Sequence, residues 1–166
     1  GAPITVPSQD MVLGLYYITK ERPGSKGEGL TFYGPEESII AYNEGRVTLQ
    51  SIVKVRLPKD KLDPSKGTEL VTTTPGRIMF NQVVPDEVPY INTLLKKKSL
   101  RDIIGDVLKY TGVARTSQFL DDIKNLGYRM AYLGGLSFNL ADVLVPEEKG
   151  ELIQKGYDEV AEIQAN

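Results

Sequence analysis

Residues 7–17, Pro-Ser-Gln-Asp-Met-Val-Leu-Gly-Leu-Tyr-Tyr, set the character of the fold, because a helix start signal precedes a long apolar run. Ser8 can cap this helix, and Asp10 lies in its first turn, where the helix dipole favours a negative charge. Apolar residues from Met11 onward surround the helix on most sides, so we expect it to pack on more than one face. Only Gln9 is left without a local structural task.

The composition excludes several classes of protein. The chain has 166 residues, 40% of them hydrophobic, which is enough for one domain with a real core. It contains no cysteine and no histidine, so disulfides, thiolate metal sites and serine-histidine or cysteine-histidine catalysis are excluded within it. Twenty basic against 22 acidic residues give a net charge of −2, so no global field would hold a nucleic-acid backbone.

The sequence predicts a cytoplasmic chain. No apolar run approaches the roughly 20 residues that span a bilayer, and the first residues lack the basic and apolar pattern of a signal peptide. The chain begins with Gly1-Ala2 and no initiator methionine, which is expected of a processed protein or of a piece cut from a longer one.

Patterns in the first half predict a small sheet with helices. Pro35 opens a helix over residues 35–43, which Gly45 closes. The best strand covers residues 47–57, where alternate residues are apolar. Shorter strands are expected at residues 30–33 and 69–74, the second ending at a Pro75-Gly76 turn, with a solvated connection over residues 58–67.

Helical patterns dominate the second half. One apolar stripe follows a cap at Ser99 and stops at Gly112, and another follows a cap at Thr116 or Ser117, so the two helices form a hairpin. A charged last helix over residues 147–165 needs a partner helix. The expected fold class is α+β: a small antiparallel sheet with helices, then a helical hairpin and a protruding C-terminal helix.

Arg77 has two interpretations. It follows the Pro75-Gly76 turn, where a guanidinium can hold a phosphate or a carboxylate bidentately. In the structural alternative, the same guanidinium clamps backbone carbonyls or a nearby glutamate.

The other polar clusters have structural explanations beside functional ones. Lys96-Lys97-Lys98 can guide anionic nucleotides, but a charge run is usually a solvated face. The carboxylates Asp121-Asp122, Asp142 and Glu147-Glu148 lack metal-site spacing; the two pairs fit helix first turns, and Asp142 fits a buried structural role. The glycine-rich residues 22–29 lack the ending and the preceding strand of a phosphate-binding loop, so we expect a mobile polar loop.

The first helix and the residues before it also carry a family resemblance. The pattern Gly1-x-Pro3-Ile4-x-Val6-Pro7-Ser8-Gln9-Asp10, followed by Gly14-Leu15-Tyr16-Tyr17, resembles the β′ subunit of bacterial RNA polymerase. Thr-Thr-Thr-Pro-Gly-Arg at residues 72–77 is similar to a Thr-Thr-x-Gly-Arg run of that family, and the likeness continues to Ala161-Glu162-Ile163-Gln164. The family's Asn-Ala-Asp-Phe-Asp-Gly-Asp loop, which holds the catalytic magnesium, is absent from this sequence.

The resemblance implies that the chain is one piece of a nucleotidyltransferase. Residues 1–146 would form the pore domain, domain 3 of the largest subunit, and residues 147–166 would begin the coiled coil of the funnel. This region frames the secondary channel, through which nucleoside triphosphates enter and backtracked RNA leaves. Gln9 is then a substrate-proximal residue, and Arg77 is the second candidate. No catalytic residue and no metal ligand are expected here, so the isolated piece should be inactive.

The partners also follow from the resemblance. They are the rest of β′ and the β subunit, DNA and RNA in the parent complex, and transcript-cleavage factors at the funnel; Mg²⁺ of the parent enzyme would bind outside this chain. The alternative function is a non-catalytic scaffold for neighbouring subunits and secondary-channel factors, for which changes near Tyr157 would weaken factor docking. A stand-alone enzyme would instead show turnover by the purified chain. Apolar faces meant for an assembly also predict self-association of the separate chain.

Overall fold

The computed structural model describes the backbone of residues 8–133 and the side chains of residues 8–130. In chain order the elements are α1 (Gln9–Thr19), β1 (Thr31–Phe32), α2 (Pro35–Asn43), β2 (Val53–Pro58), a 3-10 turn (Pro64–Lys66), β3 (Thr68–Thr73), α3 (Pro75–Asn81), α4 (Lys97–Thr111) and α5 (Val113–Leu133). The predicted α+β class is confirmed. The helix predicted over residues 147–165 lies outside the described residues.

The three strands form a mixed sheet in the order β1-β2-β3. β2 and β3 are antiparallel, with Val53 opposite Thr73 and Pro58 opposite Thr68. β1 is parallel to β2, with Thr31 opposite Lys54, so the prediction of a wholly antiparallel sheet is wrong. The physical reason is the connection: α2 lies between β1 and β2, and a helical crossover is the way in which two parallel neighbouring strands are joined.

The predicted strand over residues 47–57 begins only at Val53. Before it, a turn forms in which the Thr48 N–H donates to Ser51 Oγ at 2.9 Å, while Ser51 Oγ donates to the Lys26 carbonyl at 2.5 Å. Serine and threonine hydroxyls therefore compete here with the strand ladder for backbone groups. Val47 is nevertheless buried, as the alternating pattern predicted.

The hydrophobic core consists of two clusters of buried side chains, and both include residues of α3. This helix is buried along its whole length. One cluster joins the inner face of the sheet to α2: Phe32, Ala41, Val47, Val53, Val55, Leu57 and Ile78. The other joins α1, α4, α5 and the segment before α4, and includes Leu15, Ile18, Phe80, Leu95, Leu100, Phe119 and Ile123. Ile78 and Phe80 of α3 thus belong to different clusters, so this short helix ties the sheet to the helical part.

α3 replaces the turn that the Pro75-Gly76 dipeptide predicted. Thr74 is the N-cap, its Oγ1 accepting from the Arg77 N–H at 3.2 Å, and Pro75 occupies the first helical position. Proline suits that position because its missing N–H would have no intrahelical partner there. The interpretation as a turn was wrong, since the preceding threonine makes this sequence a helix start.

The helical hairpin is confirmed, but both of its predicted caps are wrong. Lys96 is the N-cap of α4, and Ser99 is its third helical residue, whose Oγ accepts from the Lys96 N–H at 2.7 Å. Gly112, at φ 91°, ends α4 as predicted, and α5 starts directly after it. Thr116 therefore lies inside α5 and donates to the Gly112 carbonyl at 2.7 Å. Within residues 8–133, no helix has the length and apolar character needed to cross a membrane.

Candidate functional site

The head of α1 exposes Gln9. Ser8 caps the helix as predicted, with extended backbone and with Oγ accepting from the Met11 N–H at 3.2 Å. Every residue from Asp10 to Lys20 is buried or half-buried, whereas Gln9 is exposed. The predicted packing of this helix on more than one face is confirmed, because α1 contacts both α3 and α5. Gln9 therefore presents an amide that can donate and accept, and its closeness to a substrate stays a prediction.

The tail of α1 is held by hydrogen bonds from distant parts of the chain. Thr19, 1% exposed, donates through Oγ1 to the Leu15 carbonyl at 2.7 Å and accepts from the Leu95 N–H at 2.9 Å. Gln50 Nε2 donates to the Tyr17 carbonyl at 2.9 Å. The last carbonyls of a helix have no intrahelical partner, so such donors stabilise the helix end.

Arg77 makes the contacts of the structural alternative. Its side chain is buried, and Nε donates to the Thr19 carbonyl at 2.8 Å. Nη1 donates to Glu21 Oε1 at 2.9 Å and to Asn92 Oδ1 at 3.2 Å. The guanidinium thus lies at the C-terminal end of α1, where the helix dipole favours a cation. Its closeness to a substrate also stays a prediction.

The two predicted site residues are not brought together. Gln9 begins α1, and Arg77 contacts Thr19 at its other end. Ten residues at about 1.5 Å each separate Gln9 from Thr19 by roughly 15 Å along the helix axis. Any effect of Arg77 on a ligand at Gln9 would therefore act through the position of α1.

Gly76 allows α3 to approach α1 more closely than any other residue would. A Cβ at this position would lie 1.8 Å from the Ile18 carbonyl oxygen, far inside contact distance. The Pro75-Gly76 dipeptide predicts a turn and gives no sign of this close approach. A glycine in the first turn of a capped helix was the available signal, since a missing side chain there permits close backbone approach.

Asn81 fixes the segment that leads to α4. Its Nδ2 donates to the Ile91 carbonyl at 2.7 Å, and its Oδ1 accepts from the Ile91 N–H at 2.8 Å, so the amide replaces a strand partner. The same Nδ2 donates to the Arg77 carbonyl at 2.7 Å. No local pattern in the sequence indicated this bond, because an asparagine before a loop is usually an ordinary helix end.

An open groove of about 760 Å³ lies between the β2–β3 hairpin and residues 82–90. Tyr90 donates to, or accepts from, Thr73 Oγ1 at 2.9 Å, and burial raises the Tyr90 pKa to about 12. Burial also lowers the pKa of Lys61, although the carboxylates of Asp86 and Glu87 oppose that effect. Cations and carboxylates both line the groove, so its charge favours no particular ligand.

The remaining polar candidates are dispersed. Lys96-Lys97-Lys98 are exposed at the start of α4, as the solvated-face alternative predicted. Asp121-Asp122 lie in the middle of α5 and not in its first turn, because α5 begins at Val113. Asp142 and Glu147-Glu148 lie outside the described residues. Among residues 8–133 no group of three acidic side chains lies close enough together to hold a metal ion.

The glycine-rich segment over residues 22–29 is a series of turns tied to the core, where a loosely held loop was expected. The Gly29 N–H donates to the Ile52 carbonyl at 2.8 Å, and the Arg22 N–H donates to the Gln50 carbonyl at 2.9 Å. A Cβ at Gly27 would lie 2.5 Å from the Arg46 carbonyl oxygen, so this loop packs closely on the turn before β2. Composition predicted polarity correctly but not these long-range bonds.

Known proteins are similar to this chain over its whole length. A sequence model of the family described as RNA polymerase Rpb1, domain 3, matches residues 1–143. The chain is 64% identical over 166 residues to the DNA-directed RNA polymerase subunit beta' of Parabacteroides distasonis. The match covers 100% of this chain and 12% of that protein. It is 61% identical over 167 residues to the same subunit of Bacteroides fragilis and 51% identical over 172 residues to that of Flavobacterium johnsoniae, with the same coverage. The chain therefore spans about an eighth of the length of these relatives.

Proposed function

Because the chain belongs to the family described as RNA polymerase Rpb1, domain 3, we propose that it is the pore portion of a bacterial RNA polymerase β′ subunit. In this role it frames the secondary channel, through which nucleoside triphosphates enter and backtracked RNA leaves. The enzyme to which it contributes is a nucleotidyltransferase of the cytoplasm. Its partners are the rest of β′, the β subunit, the DNA and RNA of the complex, and transcript-cleavage factors.

The exposed Gln9 is the observation that carries this proposal. It is the one exposed residue of a helix that is otherwise buried or half-buried. An amide at a helix start, where N–H groups also point outward, suits a ligand with hydroxyl and phosphate groups. In the proposal Gln9 faces the channel and contacts the incoming nucleotide or a neighbouring active-centre side chain.

Arg77 acts in the proposal as a positioning residue. Its guanidinium holds the last carbonyl of α1 at 2.8 Å, and α3 lies directly against the same end of that helix. A fixed tail sets the direction of the helix and therefore the place of its head. In the proposal, the magnesium ions of nucleotidyl transfer are held by another part of the polymerase, since the family's Asn-Ala-Asp-Phe-Asp-Gly-Asp loop is absent from this sequence.

The test is a Gln9→Ala substitution in the assembled polymerase. We expect the apparent KM for the incoming nucleoside triphosphate to rise about fivefold, the effect of one lost hydrogen bond of about 1 kcal/mol. Rapid-quench measurement of single-nucleotide addition across substrate concentrations gives this value. The matched control is Gln118→Ala, which changes an exposed glutamine on α5 whose side chain bonds to Asp122 of the same helix.

An unchanged rate and KM for Gln9→Ala would refute the substrate-proximal role. Normal nucleotide addition combined with weakened binding of a transcript-cleavage factor would favour the scaffold function instead. Tyr157, near which the sequence predicts that changes would weaken factor docking, lies outside the described residues.

A further inference from the structure

β3 has a free edge in the described part of the chain. It is six residues long and pairs with β2 on one side, and within residues 8–133 no strand pairs with its other side. A strand edge presents a row of N–H and C=O groups that can template pairing with another chain. The length of β3 is enough for several such bonds.

Two hydrogen bonds establish which groups point outward. The Lys59 N–H donates to the Gly67 carbonyl at 2.9 Å, so Gly67 is directed toward β2, while Asn92 Nδ2 donates to the Thr72 carbonyl at 2.8 Å from outside the sheet. In an antiparallel ladder, alternate residues direct both backbone groups to the same neighbour. Thr68, Leu70 and Thr72 therefore direct their N–H and C=O groups to the outer edge. The Thr72 C=O is already bonded to Asn92, so the groups open to another chain are those of Thr68 and Leu70 and the Thr72 N–H.

The outer face of the sheet beside this edge is positively charged. Lys54 and Arg56 on β2, and Thr68, Leu70 and Thr72 on β3, are all exposed there, with no carboxylate among them. Arg56 Nη1 donates to Thr68 Oγ1 at 3.1 Å, so its guanidinium reaches β3. Leu70, 48% exposed, gives the middle of this edge an apolar contact point.

We propose that the free edge of β3 binds an extended acidic segment of another protein, which adds to the sheet as a fourth strand. Main-chain hydrogen bonds to β3 supply the affinity in this mode, and alternate side chains supply the specificity. An apolar side chain of the segment packs on Leu70. Carboxylates two positions to either side of it come within reach of Arg56 and Lys54.

Charge disfavours the two competing occupants. A second copy paired antiparallel about Leu70 would place Thr68 opposite Thr72 of the copy, and so direct Arg56 toward the copy's Lys54. Like charges would then meet across the new sheet. A single-stranded nucleic acid needs aromatic side chains for base stacking, and on this face β2 and β3 carry two cations and no aromatic ring among their six exposed residues.

The test uses the full 166-residue chain and a labelled peptide, Ser-Gly-Glu-Thr-Val-Thr-Glu-Gly-Ser, with a second peptide in which lysine replaces both glutamates. Fluorescence polarisation should show at least about tenfold tighter binding of the glutamate peptide, and its affinity should fall as salt is added. Leu70→Pro should abolish binding, because proline lacks the N–H that points to the outer edge. The substitution removes no hydrogen bond between β3 and β2. The Lys54→Gln, Arg56→Gln double variant should weaken binding several-fold, whereas Lys98→Gln, an exposed cation off this face, should not.

Four results would overturn the proposal. The first is equal binding of the two peptides, and the second is unchanged binding by a folded Leu70→Pro chain. If that variant does not fold, as judged by circular dichroism, the double variant decides alone. The third is a concentration-dependent dimer in sedimentation that excludes the peptide, which would assign the edge to a second copy; displacement of the peptide by a single-stranded RNA would likewise assign the face to nucleic acid.

Discussion

The two ends of α1 differ in almost every physical respect. At the tail, Thr19 is 1% exposed and is bonded to Leu95 and Arg77, and α3 lies against the backbone of Ile18. At the head, Ser8 caps the helix through the Met11 N–H, and Gln9 is exposed. The tail is held by several long-range hydrogen bonds, whereas the Ser8 cap at the head is a local one.

The two ends of this helix can therefore have different roles, the tail in stability and the head in recognition. Long-range bonds at the tail cost free energy when broken, because they leave buried polar groups without partners. A residue at the head can change with little effect on folding and is therefore available for a ligand. Substitutions along α1 and at its contacts test this division directly.

The largest effect is expected for Gly76→Ala. The added Cβ would lie 1.8 Å from the Ile18 carbonyl oxygen, so α3 and the tail of α1 must move apart. We expect a loss of about 4 kcal/mol or more in the free energy of unfolding, an overpacking cost at a backbone that cannot give way. Urea unfolding followed by circular dichroism measures it.

Gly105→Ala is the matched control for this prediction. Gly105 also lies in a helix, α4, but a Cβ there would meet nothing within 4 Å. Alanine is the better helix former, so this variant should be more stable than the parent chain by up to about 1 kcal/mol. Equal effects of the two substitutions would show that α3 does not rest on α1 in this way.

The next largest effect is expected for Arg77→Lys, which keeps the charge but loses the planar set of donors. The buried guanidinium bonds to a backbone carbonyl and two side chains, and an ammonium cannot reach all of them. We expect a loss of about 2–3 kcal/mol, the cost of leaving buried partners unpaired. The midpoint of urea unfolding should fall without a change in its slope.

Glu21→Gln distinguishes the ion pair from the carbonyl contact. The Glu21 side chain is 45% exposed, and such pairs contribute about 0–1 kcal/mol. A small effect of Glu21→Gln beside a large effect of Arg77→Lys would assign the stabilisation to the contacts with the Thr19 carbonyl and with Asn92. A larger loss for Glu21→Gln than for Arg77→Lys would contradict this division of roles.

A smaller loss is expected for Thr19→Val, which preserves shape and removes the hydroxyl. The Leu95 N–H then loses its acceptor in a buried place, at a cost of about 1–2 kcal/mol. Thr111→Val is the control: Thr111 makes the same bond to the carbonyl four residues earlier but accepts no bond from another segment. Hydrogen exchange of the Leu95 amide should accelerate in the first variant alone.

Local signals in the sequence were sufficient for the head of α1 and insufficient for its tail. Ser8 before an apolar run predicted the helix start, and Pro35 with Gly45 predicted both ends of α2, because caps and breakers act on neighbouring residues. The Thr19 to Leu95 bond joins residues 76 positions apart, and no periodicity or motif contains such a pairing. The same limit hid the parallel pairing of β1, which depends on where α2 packs.

Dipeptide rules failed where a tertiary contact decided the local structure. Pro75-Gly76 is a common turn signal, but here Thr74 and Pro75 start a helix and Gly76 makes room for α1. Ser99 similarly resembled a cap and is instead the third residue of α4. Of the two site residues, Gln9 was correctly placed at an exposed helix start, whereas Arg77 belongs to a buried network that only the folded chain assembles.

The smallest effects are expected at the head, where Ser8→Ala and Gln9→Ala can be compared directly. Ser8→Ala removes the cap and should cost about 1 kcal/mol. Gln9→Ala should change the free energy of unfolding by less than about 0.5 kcal/mol, since alanine is a good helix former and no buried group loses a partner. Both values come from urea unfolding of the 166-residue chain. If Gln9→Ala instead destabilised the chain as much as Ser8→Ala, its exposed amide would have a structural task, and a defect of the same variant in nucleotide addition would no longer point to a ligand.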